Sequence, residues 1–201
     1  ESMPVIENIY GFAKIKNDEI IFTINSGQSQ NLNIKNGIVK LKDLDSDFEN
    51  ADVFLEIFSS NQDVINYLDT SPINKKNFSK LRNIRGDTKI DLNLKFPLLV
   101  DLPTERIIYD SKVEFVDSTF QNIFNNYDLN DFYLNIQINN SKVSYKGGGN
   151  IFNSYTEFSG EQSNIKDGFK DEIKGKYTLK PSFTEYFFPE GDFIIQGEAE
   201  I

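Results

Sequence analysis

The run Asp43-Leu44-Asp45-Ser46-Asp47-Phe48-Glu49 places carboxylates at alternate positions and is the best metal candidate in the chain. A calcium loop of the EF-hand type also needs glycine at its sixth position, for a sharp turn, and glutamate at its twelfth, for bidentate ligation. Those positions hold Phe48 and Phe54. The run therefore reads as a solvated acidic turn between strands. Lys146-Gly147-Gly148-Gly149 has the glycines of a phosphate loop but lacks the Gly-Lys-Ser/Thr ending that holds phosphate and magnesium, so a flexible loop is expected there. Glu105, Asp110 and Glu114 are candidates for a glycosidase-like carboxylate pair, which requires a separation of about 5–9 Å. Alternation with apolar residues makes them the wet face of a strand instead.

The chain has no histidine and no cysteine. Ser-His-Asp and Cys-His catalysis are excluded, as are ordinary zinc and copper sites. No catalytic residue, cofactor site or metal site is assigned, and the chain is not expected to be an enzyme. A net charge of −10 and a pI near 4.6 argue against nucleic-acid binding, which needs clustered Lys and Arg to neutralise phosphate. The same charge repels anionic head groups at a membrane surface. No run approaches the ~18 apolar residues of a membrane helix, and no signal peptide is recognisable.

Period-two alternation dominates the elements between these groups. Ala51, Val53, Leu55 and Ile57 share one strand face; Thr88, Ile90, Leu92, Leu94 and Phe96 share another, opposed by Lys89, Asp91, Asn93 and Lys95. Ile107, Tyr109, Val113 and Phe115 repeat the pattern, as do Phe132, Leu134, Ile136 and Ile138. Such alternation marks antiparallel strands with one buried and one wet face. Asn36-Gly37 reads as a hairpin turn because both residues tolerate positive φ, and Asn17-Asp18 and Asn139-Asn140 are weaker versions.

Two short helices are expected. Asn61 would cap one carrying Val64, Ile65 and Leu68 that plugs one end of a sheet; Ser118 would cap another carrying Phe120, Ile123 and Phe124. Between about 146 and 176 the abundance of Gly, Ser and Asn predicts long loops with one weak strand near 150–158.

The expected fold is thus mainly β, in one domain over residues 1–201: long antiparallel, curved and twisted sheets with two or three short helices. So few helices cannot cover so many apolar stripes. Either two sheets pack face to face as a sandwich, or one curved sheet folds into a groove around its own apolar face. A recurring frame adds to this picture. Ile9-Tyr10-Gly11, Ile84-Arg85-Gly86 and Ile195-Gln196-Gly197 each open a similar alternating segment, at unequal offsets that exclude a fixed-period solenoid. Each copy is expected to start a strand, and the last suggests a fragment of a longer, repeated β-groove protein.

Several of these pieces together carry a resemblance: "PVIENIYGFAKI", "NLNIKNGIVKLKDLDSDFENADVFLEIFSS", "DVINYLDTSP" and "IRGDTKIDLNLKFPLLVDL". The chain resembles the periplasmic region of the bacterial AsmA-like family, in its YhdP-type branch with alphaproteobacterial relatives. The likeness is best over residues 4–116 and looser after 140. Gly11, Gly86, Tyr67-Leu68-Asp69 before Pro72, and Phe96-Pro97-Leu98 match its pattern. The resemblance implies an elongated, open-sided β-groove in the periplasm, tethered to the inner membrane by a segment outside this chain. Members are implicated in phospholipid transport toward the outer membrane and in envelope maintenance, without catalytic residues. It implies phospholipid acyl chains and adjoining segments of the same long protein as partners, with membrane contact through other parts. On the stripes above, the groove lining would be Leu55, Ile57, Leu92, Leu94, Phe96, Val113, Phe115, Leu134 and Ile136. The alternative is a non-catalytic scaffolding domain with a closed β core.

Overall fold

In the computed structural model, residues 5–70, 84–124, 127–151, 154–163 and 172–177 are described. They form ten strands whose spatial order is their sequence order: β1 (Glu7–Lys16), β2 (Glu19–Ser29), β3 (Leu32–Lys42), β4 (Asn50–Ser60), β5 (Ile84–Pro97), β6 (Ile108–Phe124), β7 (Tyr127–Asn139), β8 (Lys142–Ile151), β9 (Ser154–Ser163) and β10 (Glu172–Tyr177). Every neighbouring pair is antiparallel. The sheet is curved and does not close into a barrel, so β1 and β10 are its edges. Of the two architectures open to the sequence, the single curved sheet is the one formed by the described residues.

Cross-strand register turns the alternation within each strand into a continuous face. Ile34 lies opposite Ile57, Ile57 opposite Ile90, Ile90 opposite Val113, Val113 opposite Ile136 and Ile136 opposite Tyr145. A second row runs Phe22, Val39, Val53, Leu94 and Tyr109. The opposite face is mostly polar, with Ile38, Phe54 and Phe58 among its charged residues. Lys42 bridges Asp52 at 2.6 Å, Lys89 reaches Glu56 at 3.4 Å, and Lys112 meets Glu114 at 2.5 Å. Exposed pairs of this kind contribute about 0–1 kcal/mol each, so this face supplies solubility and register more than stability.

One helix, α1 (Asn61–Thr70), follows β4 directly and packs against β3, β4 and β5. Its cap is Ser60 rather than Asn61. The Ser60 hydroxyl accepts from the Asp63 amide at 3.2 Å and donates to the Asp63 carboxylate at 2.5 Å, a reciprocal capping arrangement. That frees the Asn61 side chain to turn inward. Val64 and Ile65 are buried, and Val64 joins Ile24, Leu32, Ile34, Leu55 and Ile57 in a sealed apolar cluster, with Val39, Val53, Tyr67, Ile90 and Leu92 packed around it.

Both described copies of the Ile-x-Gly frame begin strands, at Ile9 in β1 and Ile84 in β5; the copy at 195–201 lies outside the described residues. Gly86 has φ +103°, and a Cβ there would stand 2.7–2.8 Å from backbone atoms of Val116, Asp117 and Ser118. The register shifts at this point, where three steps along β6 oppose two along β5, so the glycine allows the two backbones to close over a bulge in β6.

Three further sequence expectations are corrected. Asn36-Gly37 is no turn: β3 runs through it, and the hairpin closes at Gln30-Asn31, with Gln30 at φ 53°. Gly37 is there because a Cβ would meet the Leu55 side chain at 2.6 Å. Ser118 caps no helix; it sits in the bulge of β6, which continues as strand to Phe124. The Gly/Ser/Asn-rich part beyond 142 holds β8, β9 and β10 rather than long loops, and Lys146–Gly149 lies inside β8. Besides α1, the helical content among the described residues is a 3-10 turn at Thr104–Arg106. The Asn17-Asp18 turn does form, with Asn17 at φ 49°. Asn139 organises the β7–β8 turn, its side-chain oxygen accepting from the Ser141 and Lys142 amides at 3.0 Å.

Candidate functional site: an open apolar face

All nine residues predicted for the groove lining stand on one face of the sheet. Leu55 pairs with Leu92, Leu94 with Val53, Phe96 with Ala51, Val113 with both Ile90 and Ile136, Phe115 with Leu134, and Ile57 with Ile90. Their surroundings divide them into two groups. Leu55 and Ile57 are 6% and 8% exposed, because α1 lies over this part of the sheet. Leu92, Leu94, Phe96, Val113, Phe115, Leu134 and Ile136 are only half-buried. Among the described residues, no second layer seals that larger region.

The face extends further than the nine. Tyr109, Ile138 and Val143 continue it by pairing, as do Phe22 and Val39 on the other side of the helix. At one end of the face it closes on aromatic rings. Phe132 is buried and meets Phe120 edge-on at 4.7 Å, while Phe158 stacks on Phe132 at 6.1 Å and tilts against Tyr145 at 6.4 Å. Tyr145 and Phe158 had no legible partners in the sequence because the intervening Gly147 hides the alternation. In the sheet Gly147 faces Phe158 so closely that a Cβ would lie 2.7 Å from its ring. Ten strands at ~4.8 Å spacing give the sheet a width of roughly 40 Å across the strands.

Under the N-terminus of α1 sits a buried polar knot. Asn61 donates to the Arg85 carbonyl at 2.9 Å and to the Ser118 hydroxyl at 2.7 Å, and accepts from the Thr88 hydroxyl at 2.5 Å. Asn61, Thr88 and Ser118 are fully buried. With every partner satisfied, the knot is a structural clamp joining helix, β5 and β6 rather than a reactive group.

The acidic run forms the β3–β4 turn. The Asp43 carbonyl accepts from the Ser46 amide at 3.1 Å and its hydroxyl at 2.9 Å, and the Asp43 carboxylate accepts from Asn50 at 3.3 Å. These bonds hold a turn; they do not aim the carboxylates at one point. Among the described residues no three metal-ligating side chains converge. Asp110 and Glu114 lie on the polar face of β6, Glu114 against Lys112, and Glu105 lies apart in the 3-10 turn. No described helix is long and apolar enough to cross a membrane.

No family model, curated protein or solved structure matches the chain.

Proposed function

We propose that this chain is a non-enzymatic segment of an inner-membrane-anchored periplasmic β-groove protein of the AsmA-like type, which carries phospholipid acyl chains toward the outer membrane. The observation that supports this reading is the half-buried apolar face from β5 to β7, lined by Leu92, Leu94, Phe96, Val113, Phe115, Leu134 and Ile136. An acyl chain of sixteen carbons costs on the order of 12 kcal/mol to expose to water, at ~0.8 kcal/mol per methylene. A continuous apolar trough lowers that cost all along the path and needs no chemistry of its own. The charge of −10 is compatible with tails on the apolar face and head groups in solvent.

A scaffolding domain with a closed β core is the second reading, and the sealed cluster under α1 is the observation in its favour. Photo-crosslinking separates the two. A photoreactive residue at Leu94 should capture phospholipid in cells, one at Lys95 on the polar face should not, and native mass spectra should carry lipid adducts. Absence of lipid at Leu94 and in the native spectrum would favour the scaffold.

A further inference from the structure

We propose that Tyr133 and Tyr155 form an oxidative modification site, where a one-electron oxidant of the peroxidase class joins the two rings as dityrosine and staples β7 to β9. Tyr133 lies opposite Gly148, and Tyr155 opposite Asn150, on the mostly polar face of the sheet. Between the two strands, β8 presents Gly148, which has no side chain to hold the rings apart. The Tyr155 hydroxyl and Cε1 of Tyr133 both lie within 3.0 Å of the point that a Cβ on Gly148 would occupy. The two phenols are hydrogen-bonded to each other. Cε1 is the ring carbon beside the hydroxyl-bearing one, the position at which tyrosyl radicals couple. Tyr155 is 46% exposed, so an oxidant reaches it from solvent.

In the reaction each phenol gives up one electron, and its proton goes to water. The two radicals pair to make one carbon–carbon bond. The ring hydrogens at that bond then move to the oxygens, which restores both phenols. The two electrons and two protons released reduce one hydrogen peroxide to two waters. The chain has no cysteine, so no disulfide can pin strands whose middle partner carries Gly147-Gly148-Gly149. A bond from β7 to β9 closes a loop across β8 and restricts the unfolded chain as a disulfide does. Tyr109 and Tyr145 stand on the apolar face, and Tyr10 lies on β1, so none of them shares this contact. The proposal does not depend on what occupies the apolar face.

The chain, treated at high dilution with a peroxidase and hydrogen peroxide, should gain dityrosine fluorescence while remaining a monomer, lighter by two hydrogen atoms. A tryptic digest should contain one species joining residues 113–142 to residues 147–166. Tyr133→Phe and Tyr155→Phe should each abolish it, and Tyr10→Phe should leave it unchanged. Each variant loses a single hydroxyl and should keep the circular dichroism of the wild type. The treated wild type should unfold at higher denaturant concentration than the untreated chain, and treated Tyr133→Phe should not. Dityrosine confined to covalent oligomers, a monomer cross-link that survives Tyr133→Phe, no cross-linked monomer at all, or a cross-linked monomer no more stable than the untreated chain would each overturn the proposal.

Discussion

The Thr88 hydroxyl donates to the side-chain oxygen of Asn61 at 2.5 Å, and neither side chain has any exposed surface. The first residue of the helix is thereby fixed to the middle of a strand paired with β4 and β6. Replacing Asn61 by leucine leaves the buried Thr88 hydroxyl without its acceptor and the Arg85 carbonyl without this donor, while Ser118 keeps only its bond to the Val116 carbonyl. Each unsatisfied group costs about 1–3 kcal/mol, so Asn61→Leu should lower stability by roughly 3 kcal/mol or more in a denaturant titration. Asn61→Asp keeps the shape but removes both donated bonds, and should be similarly damaging.

Gly86 and Gly27 form a contrasting pair. An alanine Cβ at Gly86 would collide with three backbone groups at a φ of +103°, whereas at Gly27 its nearest neighbours are side-chain and backbone atoms 3.5–3.7 Å away. Gly86→Ala should therefore destabilise by more than ~1 kcal/mol, and Gly27→Ala by less. Equilibrium unfolding of the two variants is the check.

The division of the apolar face is testable by charge. Leu55→Asp introduces a carboxylate beneath α1 and should cost several kcal/mol, enough to unfold a marginal domain. Leu94→Asp and Ile136→Lys place their charges on the half-buried region, where water reaches them, and should lower the melting temperature far less. Equal loss in all three would mean that the whole face is sealed.

Alkaline titration should reveal a further contrast. A hydrogen bond with Tyr133, then burial, raises the Tyr155 phenol from its usual 10.0 to about 12. Lys42 is raised chiefly by its hydrogen bond to Asp52, and Lys89 chiefly by the charge of Asp91. All three groups hold their protons more tightly folded than unfolded. Their contribution is complete below pH ~10 and is lost as pH rises through the folded values, so stability should decline between about pH 10 and 12. Tyr133→Phe should bring phenolate absorbance from Tyr155 to lower pH.

The strands most legible in the sequence were those whose stripe is unbroken by glycine. Residues 51–57, 88–96 and 132–138 show their alternation directly, and their lining residues could be assigned to one face before any pairing was known. Misreadings came where a residue's local habit is overridden by what lies across the sheet. Asn36-Gly37 carries a hairpin signal, yet Gly37 answers to the bulk of Leu55. Gly147, Gly148 and Gly149 look like a loop but give room to Phe158, Tyr155 and Leu129 on neighbouring strands. Phe120, Ile123 and Phe124 have helical spacing after a capping residue, but Ser118 is spent in the knot with Asn61. A single strand does not display its partners, so these side chains could not be read locally.

The sequential order of the strands bears on how the molecule comes into being. Among the described residues each strand bonds to those beside it in the chain, so every pairing except the one spanning α1 closes a short loop. Loop closure is then inexpensive in entropy, and the sheet can grow by zipping outward from the hairpin that α1 clamps. A barrel fixes its strand number through closure, whereas this sheet contains no device that counts. Deleting or inserting a hairpin would shift the faces of the remaining strands by nothing at all. The same architecture could therefore be lengthened two strands at a time, with stability accumulating by nearest-neighbour contacts as in a repeat array.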